Sequence, residues 1–417
     1  MDHTEYIWHP FTQMKLETQP IKIIRGEGAI LFDDNNKSYI DAISSWWTNL
    51  HGHAHPYIAK KVFEQHQILE HVIFAGFTHE PALKLAKRLI EDHLPENISK
   101  IFYSDNGSTS VEVAIKMAIK YWFNRNIPKT KIIAFESAYH GDTFGSMSVS
   151  ERDAFTKAFH KNLFDVIFIP LPLKGQEEKC NQAFEKAISE NDVAAFIYEP
   201  LILGAGGMLM YEPASLNYLL QKAKEKDIIC IADEVMTGFF RTGKMFASEY
   251  CEIKPDIMCL SKGLTGGTMA LGVTACAQFI FDAFYNDDKM KAFYHGHSYT
   301  ANPLACTAAL ASLDLVEKEG FIDSINIIQS QHQKFAETIK QATHFENIRQ
   351  RGTIIAFDLK TDSETNYFNS SRDILYRYFI ERGILLRPLG NTVYLMPPYC
   401  ITAEQLQLVY ASILEYK

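Results

Sequence analysis

The sequence predicts an α/β protein: a large domain with a mostly parallel central sheet, joined to a smaller α+β domain. Three observations carry this. Short, almost wholly apolar runs recur at 131–135, 193–198, 228–232 and 256–260, as expected of strands buried on both faces of a parallel sheet. Helix-like patterns alternate with them. After residue 318 the register changes to a long amphipathic helix followed by short strands around a further helix. At 417 residues the chain exceeds what one core usually serves, so two domains are expected.

Taken in order, residues 26–41 read as a hairpin with its turn at 33–37. Beyond it stand Trp46 and Trp47, half of the four tryptophans. Trp46 is expected as a hydrophobic plug between domains and Trp47 as a wall of a substrate pocket. In His51-Gly52-His53-Ala54-His55-Pro56 the histidines alternate, but Gly52 and Pro56 disfavour a strand. No acid or cysteine lies close by in sequence, so a turn into a helix over 57–71 is expected rather than a metal site.

A helix follows over 80–92, with Pro81 in its first turn. A strand at 100–103 then leads through Gly107 and Ser108 into a long helix, where Thr109 and Glu112 have capping-box spacing. Such a turn presents backbone N–H groups and a positive dipole end, suited to a phosphate; many helices start this way without binding anything. The loop after strand 131–135 carries Tyr139 and His140, which suit stacking on a flat ring or packing on the core.

Strand 193–198 ends in Glu199-Pro200. The glycines at 204–207 lack both the spacing and the following helix of a dinucleotide fingerprint, which argues against a nicotinamide-dependent dehydrogenase. After a helix at 215–226, the two central runs end in Asp233-Glu234 and Ser261-Lys262-Gly263. Ligands on open α/β sheets collect at the carboxyl ends of strands. An acid and a lysine meeting there suit pyridoxal phosphate, the lysine forming a Schiff base and the acid holding the pyridine nitrogen protonated. The alternative is a buried ion pair beside a strand-end lysine. Glycine and small hydroxyl residues at 296–300 suit phosphate contact before a helix at 304–318. In the last region a helix at 321–343 precedes strands at 354–359, 384–387 and 392–396, with a helix at 372–382. Arg387 closes an apolar strand there and suits a substrate carboxylate or a structural ion pair.

A net charge of -9 and a pI near 5.9 argue against a broad nucleic-acid surface. Seven scattered cysteines without a CxxC pair fit a reducing compartment. Met1 to Glu5 lack the basic start of a signal peptide, and no apolar run approaches the ~18 residues of a membrane helix. A cytoplasmic location is expected.

The stretch Ile-Ala-Asp-Glu-Val-Met-Thr-Gly-Phe-Phe-Arg-Thr-Gly-Lys from Ile231, with Leu-Ser-Lys-Gly-Leu-Thr-Gly-Gly from Leu260, resembles the signature of class III aminotransferases, which are fold-type I pyridoxal-phosphate enzymes. The N-terminal Trp8-His9-Pro10-Phe11, the tryptophan pair and His295 to Pro303 resemble the biotin-biosynthesis branch of that class. The resemblance implies domains at 1–50 and 319–417 (one small domain from both termini) and 51–318 (large, cofactor-binding). It implies pyridoxal 5'-phosphate bound by Gly107, Ser108, Tyr139, Asp233, Lys262, His297 and Ser298, with Lys262, Asp233 and Tyr139 catalytic. Gly296, His297 and Ser298 are expected to reach in from the partner of a homodimer. Phe11, Trp47, Tyr139, Lys262, Gly296 and Arg387 are expected to meet substrate.

The implied reaction is ping-pong transamination of 8-amino-7-oxononanoate, with S-adenosyl-L-methionine as the expected amino donor. Lysine as donor, or another ω-aminotransferase acting on ornithine, 4-aminobutyrate or a diamine, is the alternative. A non-catalytic cofactor-binding module is disfavoured by the presence of both Lys262 and Asp233. Two departures from the branch stand out. Phe11 replaces a tyrosine, keeping the ring and losing the hydroxyl, and Phe240 replaces a glycine and is expected to reshape the pocket entrance.

Overall fold

The computed structural model describes residues 6–16, 20–361 and 371–416; Met1 to Glu5, read above for a leader, lie outside them. Seven strands form the main sheet. Their spatial order is Ile98–Ser104, Gly272–Ala277, Ile257–Leu260, Ile229–Asp233, Val193–Tyr198, Lys131–Phe135, Ile167–Ile169. Gly272–Ala277 runs antiparallel to both neighbours and the other pairings are parallel, so the expected mostly parallel sheet is present. Every residue of Val193–Tyr198, Ile229–Asp233 and Ile257–Leu260 is buried, because helices cover both faces. Full burial of each large apolar side chain contributes roughly 1.5–3 kcal/mol, which is why these strands read as unbroken apolar runs.

The parallel direction sends the residues that follow these strands to one edge of the sheet. Glu199 follows Val193–Tyr198, Asp233 ends Ile229–Asp233, and Lys262 opens a short 3-10 turn, Lys262–Thr265, after Ile257–Leu260. Helix Gly107–Asn124 starts at the same edge after Ile98–Ser104.

The two ends of the chain meet. Strands Ile23–Glu27, Ile30–Asp33 and Ser38–Asp41 form an antiparallel ribbon with the expected turn, where Asp33 N–H donates to Lys37 O. Ile384–Leu385 then adds to Ser38–Asp41 in parallel. Beside them Phe345–Arg351, Ile354–Leu359 and Thr392–Leu395 form an antiparallel sheet. Helices Phe321–Ile339 and Ala403–Glu415 pack together beside it, with Phe335 stacked on Tyr410 at 4.2 Å between ring centroids.

Several local expectations need correcting. The helix after the histidine motif is Pro56–His66, not 57–71. At its end the Gln65 carbonyl accepts from Ile68 and Leu69 N–H, and the Gln65 side chain donates to Leu69 O. The capping box of Gly107–Asn124 joins Asn106 to Thr109, one turn earlier than Thr109 with Glu112. Glu112 instead accepts from Gly145 N–H at 2.6 Å. The motif's histidines are held singly. His53 Nε2 lies 2.9 Å from Asp41 Oδ2, an acid twelve residues away in sequence, and His51 Nε2 lies 2.9 Å from Ser312 Oγ. Among the described residues no group of three or more His, Cys, Asp or Glu could hold a metal ion, and no helix is long and apolar enough to cross a membrane. All seven cysteines are unpaired.

Candidate active site

A cavity of about 670 Å³ opens at the carboxyl edge of the main sheet. Lys262, Asp233, Tyr139, Gly107, Ser108 and Trp47 line it together, so six of the residues picked from the sequence converge. Lys262 is held at φ 42°, in the left-handed region, where non-glycine residues seldom sit unless their surroundings hold them. Its Nζ lies 4.6 Å from the centre of the Trp47 ring, near enough for a cation–π contact. Burial pushes the ammonium down to about 8; the charges of Asp233 and Glu199 oppose that shift and Arg241 adds to it. Removing water penalises the charged amine more than these acids favour it, so a large fraction is neutral in mildly basic solution.

Asp233 pairs with His140 rather than with Lys262. Its Oδ2 lies 2.7 Å from His140 Nδ1, and its Oδ1 accepts from Val235 N–H at 3.1 Å. Both side chains are buried, and His140 Nε2 has no partner among the described residues. The carboxylate is thus fixed in direction, with the amine kept apart from it.

The helix end is shaped for an anion. Thr109 N–H is taken by Asn106 Oδ1 and Ser110 N–H by Asn106 O, whereas no described residue takes those of Gly107 and Ser108. A Cβ on Gly107 would stand 2.6 Å from Val235 Cγ1, and one on Gly141 would overlap Ser108, so only glycine lets the backbone close in at both points. Ser108 Oγ also accepts from Thr143 N–H at 3.0 Å.

The tryptophans part company. Trp47 is buried, and its Nε1 donates to Tyr394 Oη at 2.9 Å. Ser44, Ser45 and Trp47 all have positive φ, and this turn is pinned by Ser44 Oγ to Met396 O and Ser45 Oγ to Asp41 Oδ2, each 2.8 Å. Trp46 is not the expected plug, being 41% exposed. Phe11 meets it edge-on at 5.4 Å between centroids, and the Arg387 guanidinium lies 5.1 Å from its ring centre. Phe11 and Arg387 therefore form a second cluster with Trp46, outside the lining of the main cavity.

Gly296, His297 and Ser298 do not line the cavity either, and Gly296 and Ser298 are exposed. Phe240 packs edge-on against Phe321 at 5.5 Å and is not among the residues lining this cavity. Its φ of 71° gives a backbone reason why glycine suits that position. Glu199 lines the cavity without having been picked out. Its only sequence signal is its place at the end of a buried strand, the same signal that marked Asp233.

The class III aminotransferase family model matches residues 12–415. The chain belongs to the class III aminotransferases. Among relatives of this aminotransferase, the adenosylmethionine-8-amino-7-oxononanoate aminotransferase of Synechococcus elongatus is 47% identical, covering 98% of this chain and 97% of the relative. The crystal structure of the enzyme of that name from Methanocaldococcus jannaschii superposes with a TM-score of 0.93 at 37% identity, over 99% of this chain and 97% of that one. An amine transaminase from an uncultivated Pseudomonas species, solved with pyridoxal phosphate bound, gives a TM-score of 0.91 at 28% identity, over 98% and 97%. Aminotransferases of this class use pyridoxal 5'-phosphate. The cavity fits that group: a buried amine, a directed carboxylate, and a helix start whose glycines leave room for a phosphate.

Proposed function

We propose that this aminotransferase converts 8-amino-7-oxononanoate to 7,8-diaminononanoate in biotin biosynthesis, in the cytoplasm, with S-adenosyl-L-methionine as amino donor. The observation that carries the reading is the pairing of two sites. The amine-and-acid cavity adjoins, through the consecutive Trp47 and Trp46, an aromatic cluster carrying Arg387. A long apolar acceptor with a carboxylate at its far end needs both parts. The names of relatives matched over nearly their full length support the same substrates.

Bound pyridoxal phosphate supplies an electron sink for a carbanion next to nitrogen; the protein's own groups do the rest. Lys262 would hold the cofactor covalently, and its buried amine is the group that would take up and return a proton, a task suited to a group titrating near 8. Asp233, aimed by Val235 N–H and His140, is the carboxylate that would keep the cofactor's pyridine nitrogen protonated. Gly107 and Ser108 would hold the phosphate at the helix start. Tyr139 and Trp47 wall the site and exclude water, and Phe11 and Arg387 hold the distal part of the substrate, with the guanidinium on the carboxylate. One cavity serves donor and acceptor in turn, which means ping-pong kinetics.

The working unit in this reading is a homodimer. Gly296 and Ser298 are exposed and do not line their own chain's cavity, which supports their use, with His297, in the partner's phosphate site. The small domain is assigned to 1–50 and 319–417, and the large one to 51–318. The test presents each donor alone to the cofactor-loaded enzyme, then adds 8-amino-7-oxononanoate. Adenosylmethionine should convert the cofactor and the acceptor should restore it. Turnover of ornithine or 4-aminobutyrate with no use of 8-amino-7-oxononanoate would overturn the assignment, and conversion by lysine alone would change the donor.

A further inference from the structure

Glu199 is nearly fully buried, yet it pairs with no cation within salt-bridge distance among the described residues. Its carboxylate is used instead by two backbone groups from different loops. Oε1 accepts from Tyr139 N–H at 3.0 Å and Oε2 from Gly204 N–H at 2.8 Å. The first loop carries the Tyr139 wall. The second backs the Trp47 wall so closely that a Cβ on Gly204 would stand 3.2 Å from Trp47 Cζ3 and 3.2 Å from Met236 Cε. The loops also abut each other, since a Cβ on Gly206 would overlap Ser137 O. One carboxylate therefore sits under the junction of the two aromatic walls.

We propose that Glu199 is a positioning residue that sets the gap between Tyr139 and Trp47, and so the fit of donor and acceptor, through its two backbone hydrogen bonds. The side chain that does this must accept from two N–H groups at once. A carboxylate can, whereas an amide of the same size presents one acceptor and one donor. Glutamine at this position would turn an N–H toward an N–H and push one loop away. Strand register supports the placement: Ala232 pairs with Tyr198, so Glu199 and Asp233 leave the sheet side by side, facing His140 and Lys262. Burial raises the Glu199 carboxyl to about 7, with Asp233 adding to the rise and His140 and the two N–H groups opposing it. A proton on either oxygen would also weaken the clamp, so the clamp is fully made only in the ionised form.

This inference rests on the aminotransferase reading but not on the acceptor's identity, because any amine–carbonyl pair that the wild-type holoenzyme turns over serves as probe. Glu199→Gln, Trp47→Phe and the double variant are compared with wild type. The readouts are KM for donor and acceptor, cofactor affinity by equilibrium dialysis, and the near-ultraviolet circular dichroism of the substrate-free holoenzyme. We expect Glu199→Gln to raise both KM values about tenfold, to change the aromatic dichroism, and to alter cofactor affinity by less than about threefold. We expect the double variant to be no worse than the worse single variant, as for residues acting as one unit. The acceptor KM of wild type should also rise as pH falls through about 7, and that of Glu199→Gln should not. Unchanged KM values, or additive losses in the double variant, would overturn the proposal. Should Glu199→Gln fail to fold, Gly204→Ala disturbs the same wall without touching the carboxylate. Unchanged KM values in Gly204→Ala would then overturn it.

Discussion

The cavity around Lys262 and the cluster around Arg387 are built in opposite ways. The first stands on the ends of fully buried parallel strands, with nearly every polar group aimed by another: Asp233 by His140 and Val235, Tyr139 and Gly204 by Glu199. The second is assembled from the N-terminal segment, a strained turn and the chain after Ile384–Leu385, and its aromatic members are half open, Phe11 at 47% and Trp46 at 41%. Groups that take part in bond making need fixed directions, which a rigid sheet supplies. Groups that recognise the remote part of a substrate work from adaptable segments carried by such a scaffold. On the proposed function, the chemistry and the recognition of the substrate's remote end are thus carried by separate parts of the molecule.

The sharpest way to break that comparison is Lys262→Ala. It should abolish the visible cofactor band that shifts on adding an amine and lower transamination about 10⁴-fold or more. A surviving band would mean that the chemistry lies elsewhere. Next is the pH dependence of cofactor capture by the apoenzyme. Only the neutral amine attacks, and Lys262 titrates near 8, so the capture rate should fall about tenfold per pH unit below that value and level off above it. A profile still rising at pH 10 would show an amine that burial has not perturbed.

Arg387→Ala should raise the acceptor KM roughly thirtyfold, the worth of about 2 kcal/mol for a hydrogen bond to a charged group. Cofactor affinity should stay as in wild type; equal losses in both would make Arg387 a structural residue and dissolve the second site. The smallest effect belongs to Phe11→Tyr. Restoring a hydroxyl at an exposed ring should lower the donor KM by up to about tenfold, the value of one neutral hydrogen bond. No change with any donor would remove Phe11 from substrate recognition.

Much of the first region was legible in the sequence because double-sided burial leaves a plain mark. An apolar run that ends in Asp233 or Lys262 departs from its own pattern, and parallel strands place all such endings at one edge. Glu199 carries the same mark but went unassigned, because its partners are backbone N–H groups, which sequence does not display. The neighbouring expectations that failed did so for the same kind of reason. Asn106 rather than Thr109 caps the helix, and Glu112 is drawn to Gly145 by a contact between distant loops. Trp46 looks like core by composition but is held open beside Phe11 and Arg387.

What the sequence determined by itself was the α/β class, the family and the candidate residues for the chemistry. These depend on local pattern and residue type, which survive without knowledge of neighbours. Only the tertiary structure decided that Asp233 turns to His140 and not to Lys262, that Trp47 is buried while Trp46 is open, and that Glu199 joins the two walls. Such choices depend on which groups from remote segments share a volume without water, where direction and distance outweigh residue type.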